Sequence, residues 1–177
     1  KKPVGQNRHT IHGGLHGEQT LQDYWRRDPA TGAVRDDATL RATGELVEFE
    51  GTTFHIAHVP VKSRGGGVTW KADLGHPEWA GLDTMFRVRL ATAADTRTDA
   101  LGYAVAPDGR AQFAGAVLRG MVLRPTDIEA PLTICCHATA LLGVTDWSKT
   151  QFGIGTDFSS TLFADKVVFS GARFSGF

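Results

Sequence analysis

Cysteine is scarce in this chain: there are two, Cys135 and Cys136, and they are neighbours. A bridge between adjacent cysteines is strained and rare, which excludes a disulfide-stapled scaffold and leaves both as small core residues. Excess charge of either sign is also missing. The 19 basic residues balance 19 acidic ones and both signs are scattered, so no overall field draws the chain to nucleic acid or to an anionic membrane. No apolar run approaches the roughly 18 residues of a membrane span, and no signal-peptide core is present. The expectation is a soluble protein with no membrane span and no specific nucleic-acid partner. The first residue is Lys1 and not Met, so a removed signal or pro-segment stays open and the compartment is unassigned. No G-x-S-x-G elbow, Walker pattern or dinucleotide fingerprint occurs, and no internal repeat stands out.

What is present is glycine, 21 residues among 177, punctuating many short apolar runs. That pattern predicts an all-β domain, a β-sandwich or barrel of about eight strands over residues 44–177, preceded by a polar arm over residues 1–43. The one helix expected in the arm is Glu18 to Arg27, where Leu21, Tyr24 and Trp25 share a face and Asp28-Pro29 stops the run. Glu50-Gly51 predicts a hairpin between Leu46–Phe49 and Phe54–Val59. Phe86, Val88 and Leu90 alternate with Arg87 and Arg89, which reads as a strand over Thr84 to Ala91 with a solvated arginine face. The longest buried stretch is Leu101 to Arg124, expected as two strands around a turn at Pro107-Asp108-Gly109, with a helix over Ala114 to Leu123 as the competing reading. Pro131 to Leu142 reads as one buried strand. Gln151 to Phe163 and Lys166 to Phe174 read as a closing strand pair.

Four groups of residues have the chemistry of a site. His9, His12 and His16 lie close together beside Glu18, the donor types that hold zinc or copper. Gly13, Gly14 and Gly17 argue against the helix that would align them, so a flexible loop is the plainer reading and no cofactor is required. His55 and His58 are three apart, which in a regular strand puts them on opposite faces. Cys135-Cys136-His137 lacks the spacing that lets ligands wrap one ion. Arg64 with Gly65, Gly66 and Gly67 could cradle an anion, but no helix start follows.

Three functions are compatible with these features. The favoured one is a non-enzymatic structural or assembly subunit, coat-, decoration- or tail-like, forming a homo-oligomer or joining other subunits through its N-terminal arm. The second is a β-barrel module holding a small apolar ligand. The third is a metal-dependent enzyme using His9, His12 and His16.

Overall fold

The computed structural model describes residues 24–29, 31–62, 65–94, 111–123 and 131–175, with backbone alone for 91–94. A helical turn at 24–26 is followed by helix α1 (Asp37–Ala42). The hairpin β1 (Leu46–Phe49) and β2 (Thr52–His55) comes next, then 3-10 turns at Ile56–His58 and Trp70–Ala72, and the long helix α2 (Glu78–Ala94). Nine two-residue strands follow among the described residues: β3 (Ala111–Gln112), β4 (Val117–Leu118), β5 (Ile134–Cys135), β6 (Ala140–Leu141), β7 (Thr145–Asp146), β8 (Gln151–Phe152), β9 (Leu162–Phe163), β10 (Val167–Val168) and β11 (Arg173–Phe174).

These strands form neither a sandwich nor a barrel, and the all-β expectation is overturned. Helices and short parallel ladders share the chain instead. Ala111 pairs in parallel with Ile134 and Val117 with Ala140, each 23 residues on. Ala140 pairs with Leu162, Thr145 with Val167 and Gln151 with Arg173, each 22 residues on. Isolated bridges from Val122 to Asp146, Leu132 to Phe152 and Cys135 to Asp157 complete the pattern. Four ladders result, carrying Ala111–Ile134 on into Cys135–Asp157, Val117–Ala140–Leu162, Val122–Asp146–Val168 and Leu132–Phe152–Phe174. The chain therefore climbs as a short solenoid, stacking a coil on the previous one about every 22 residues. Backbone donors and acceptors of one coil are met by the next, as in Ala140 N–H to the Ala116 carbonyl and Leu162 N–H to the Thr139 carbonyl.

The sequence folds this way because inward positions recur in pairs. A small or branched residue is followed two places later by a large one, as in Ala111 and Phe113, Ala116 and Leu118, or Thr145 and Trp147, all nearly or fully inaccessible. Between the pairs the chain turns a corner. At one corner Gly115, Ala138 and Ser160 stand in successive coils, all with positive φ (68°, 52° and 55°), each two residues before its paired strand. Gly120 and Gly143 mark another corner, where coils approach so closely that a Cβ on Gly120 would lie 2.5 Å from the Val144 carbonyl oxygen.

Two-residue strands also replace the long runs. Pro131 to Leu142 holds β5 and β6 with a corner between them, and the closing pair becomes β8 to β11, each strand bonded to another coil and not to its sequence neighbour. No helix forms over Ala114 to Leu123. The turn at 107–109 lies outside the described residues.

The N-terminal half covers the first coil. Residues 84–91, expected as a strand, lie inside α2, because Trp79, Leu82, Phe86 and Leu90 recur at helical spacing and all are buried. Phe86 packs edge-on against Phe113 of the first coil, ring centroids 4.9 Å apart. The expected hairpin is present, with Leu46 opposite His55 and Phe49 opposite Thr52. Of the segment read as an arm, residues 24–29 and 31–43 are described. Tyr24, Trp25 and Leu40 are buried there, and Tyr24 and Trp25 join the same core cluster as Phe113 and Trp147. Helix α1 starts on Asp36, whose side chain accepts from Thr39 N–H at 2.8 Å.

Candidate interaction surface

The two ends of the stack differ in cover. At the first coil, the Lys71 ammonium donates to the carbonyls of Ala57 and Val117, both at 2.9 Å. His58 Nε2 lies 3.2 Å from the Ala114 carbonyl oxygen and donates to it. These bonds tie the Ile56–His58 and Trp70–Ala72 turns onto the edge of the coil, and Ala111, Phe113 and Ala116 are inaccessible as a result.

The third coil has no such cover among the described residues. Thr145 is 1% exposed and its ladder partner one coil on, Val167, is 37% exposed. Phe152 is 0% exposed and its partner Phe174 is 46%. Phe158, Phe163 and Phe169 point inward beneath Trp147, with centroids 5.0, 6.3 and 5.4 Å from its ring, yet each is only half-buried. They also meet one another, with Phe158 and Phe163 at 6.1 and 6.3 Å from the Phe169 ring. The coil thus ends in a floor of four phenylalanines, with Phe174 stacked 4.8 Å from Phe152. The third coil carries Asp157, Asp165, Lys166 and Arg173, two charges of each sign. Among the described residues, β9, β10 and β11 each bond a neighbouring strand on one side only, so the floor is also a row of strand edges.

A second feature is a cleft of about 360 Å³ between α2 and the coil corner at Gly120 and Gly143. Phe86, Leu90, Leu118, Met121 and Val144 line it, and Asp83, Arg87, Arg119 and Asp165 reach its walls. Arg119 is held by the Asp83 carboxylate and donates to the Leu74 carbonyl. Burial raises the Asp83 carboxyl pKa, against the opposing pull of Arg119.

The titratable groups of the N-terminal half are bound to one another. Glu45 accepts from Arg35 through both carboxylate oxygens and from Thr43 at 2.9 Å. His55 Nε2 is 3.5 Å away. Burial alone would raise the Glu45 carboxyl, and the contacts with His55, Arg35 and Thr43 outweigh it, bringing it to about 2. Burial with His55 alongside lowers His58 to about 3, so it is neutral at ordinary pH. Both histidines are drawn inside because the strand ends at His55 and a 3-10 turn begins, which brings the rings to 4.8 and 5.5 Å from Trp25. The opposite-face expectation fails for that reason. Arg89, expected on a solvated face, is buried under Tyr24 and Trp25. Its guanidinium donates to the carbonyls of Tyr24, Trp25 and Arg27, each at 3.0 Å.

His9, His12 and His16 lie outside the described residues. Among the described residues no cluster of three His, Cys, Asp or Glu side chains could hold a metal ion. Cys135 and Cys136 are buried and form no disulfide, with the Cys136 thiol pKa raised by burial. His137 Nδ1 sits 2.7 Å from Ser159 Oγ across two coils, and Asp157 accepts from the Ser159 backbone N–H at 2.7 Å. That pair staples one corner to the next. Among the described residues, no helix is long and apolar enough to cross a membrane. The aromatic floor was missed in the sequence, although Trp147, Phe152, Phe158, Phe163, Phe169 and Phe174 recur at steps of five and six. No protein-family model matches this chain, and no curated protein or solved structure matches it either.

Proposed function

We propose that this chain is a non-enzymatic structural subunit of an assembly, coat-, decoration- or tail-like, that meets its neighbour through the third coil. The observation that carries this reading is the change in cover between paired positions, from 0% at Phe152 to 46% at Phe174. An apolar floor in a coil that carries two charges of each sign, bordered by strand edges, suits a protein partner, because backbone pairing and ring burial act together there. The Glu45, Lys71 and Arg89 side chains of the N-terminal half support the same reading, since each is engaged in internal bonds. Light scattering coupled to size exclusion tests it. The expected result is a defined oligomer at micromolar concentration, retained when the chain is shortened to begin at Glu18. A single-chain mass at every concentration would contradict it.

A second reading is a module for a small apolar ligand, and the cleft beside α2 favours it. A barrel interior is no longer its basis, since the coil interior is filled by Phe113, Trp147 and Phe152. Leu90→Gln, which faces the cleft, should weaken binding of an apolar fluorescent probe if the cleft is a site, and Phe174→Lys should not.

A further inference from the structure

Resting on the apolar-ligand reading of the cleft beside α2, we propose that the cleft takes a small amphipathic monocarboxylate. Its chain lies along the apolar lining and its carboxylate is held at the Arg87 and Arg119 guanidinium groups.

The lining supplies the first argument. Phe86, Leu90, Leu118 and Met121 are at most 7% exposed, whereas Leu74, Val122 and Val144 are 39, 41 and 48% exposed. The cleft therefore runs from buried core out to an apolar lip in water. Its volume of about 360 Å³ is near the low end of the roughly 300–1,000 Å³ range of ligand pockets. A short hydrocarbon chain suits that size and covers the lip.

The polar groups supply the second. Asp83 and Arg87 stand four apart on α2 and share a helical face. Arg119, from the first coil, binds the Asp83 carboxylate and reaches the Leu74 carbonyl at 3.4 Å. Those bonds use two of the five N–H donors of its guanidinium. Burial raises the Asp83 carboxyl against the pull of both Arg119 and Arg87. Two guanidinium charges thus meet one carboxylate on this side of the cleft, an excess complementary to a single added carboxylate. Guanidinium groups also match the planar, two-oxygen geometry of that head. Asp165, the remaining acidic lining residue, comes from the third coil, where its Oδ1 accepts from Lys166 N–H at 2.6 Å. A cationic head would have to pass two arginines to reach Asp83.

The third argument is rigidity. Arg119 leaves the backbone at the close-packed corner, where its carbonyl accepts from Gly143 N–H and a Cβ on Gly143 would lie 2.6 Å from that oxygen. Arg87 projects from a helix of 17 residues. Both cations are therefore carried on backbone that is fixed before a ligand arrives.

The test uses the full chain with an apolar fluorescent probe, displaced by three compounds of equal length: octanoate, octanol and octylamine. Octanoate should displace the probe at a concentration about tenfold lower than octanol, with octylamine weaker than octanol. Arg87→Gln alters an exposed side chain, so folding, followed by circular dichroism, is retained. It should move the octanoate curve toward that of octanol and leave the octanol curve in place. Arg41→Gln, an exposed arginine of α1 outside the cleft lining, should change neither. Equal displacement by octanoate and octanol, a stronger effect of octylamine, or an octanoate curve indifferent to Arg87→Gln would overturn the carboxylate assignment while the apolar-ligand reading stands. No probe bound, and no heat on titrating octanoate, would remove both.

Discussion

The covered and open ends of the coil stack are built from the same kind of coil and finished in opposite ways. In the first coil, Phe113 has the second coil beneath it and the 3-10 turns, α2 and Trp25 above, and it is inaccessible. In the third coil, Phe163 meets Trp147 of the second coil and Phe169 of its own and is half-buried. A solenoid cannot bury its terminal faces with its own repeat, so each end needs another element. Here the N-terminal half is that element for one end. The difference teaches that the described residues before the first coil act as a cap, with His58 and Lys71 bonded to the edge carbonyls of Ala114 and Val117, while the rings of the third coil stay half-buried.

Substitutions in paired positions should break this comparison first. Trp147→Ala removes the ring on which Phe158, Phe163 and Phe169 converge, and should cost about 3–5 kcal/mol of unfolding free energy. Phe174→Ala, at the open edge, should cost less than about 1.5 kcal/mol. Chemical denaturation of dilute protein measures both, and equal losses would mean that the third coil is covered within a single chain.

The cap contributes a pH effect that the open end lacks. Burial lowers the Lys71 amine from its ordinary 10.5 to about 7. Below about pH 7 folded and unfolded chains both hold that proton, and the folded state bears the full cost of a buried charge. Between about 7 and 10.5 the unfolded chain holds the proton and the folded chain has released it, so stability rises with pH across that window. Lys71→Met should flatten that rise in denaturation curves taken from pH 7 to 10, and an unchanged slope would show that Lys71 is not its source. The smallest expected effect lies at the corners. Ala138 holds a positive φ where the first coil has Gly115, so Ala138→Gly should raise stability by about 0.5–1 kcal/mol. A loss of stability on thermal unfolding would mean that the methyl group packs more than it strains.

How much of this was legible follows from the lengths involved. The β1–β2 hairpin was readable because Glu50-Gly51 both take positive φ (49° and 72°) between two four-residue strands. Strands of two residues carry no period of their own, and the inward pair at every second position imitates the alternation of a longer strand. Ala111 and Phe113, or Ala116 and Leu118, therefore read as pieces of an ordinary sheet. The five-and-six spacing blurs the repeat further, because Cys136 and Leu141 fill positions that phenylalanines fill later. Helix α2 was misread since Phe86 and Leu90 satisfy both periods while Val88, 40% exposed, fits only a strand, and Trp79 and Leu82 upstream decide for the helix. Arg89 gave no sign of burial, because its partners are backbone carbonyls 62 to 65 residues earlier. The half-exposure of the third-coil rings depends on which coils the ladders stack together, and not on any local pattern.

Backbone hydrogen exchange followed by mass spectrometry at rising protein concentration tests the central claim most directly. Third-coil amides, including those of Leu162, Ala164, Arg173 and Ser175 that bond the second coil, should exchange more slowly as concentration passes through the micromolar range. Amides of α2 and of the first coil should not change. Exchange in the third coil that is independent of concentration, or slowing confined to the N-terminal half, would contradict the account.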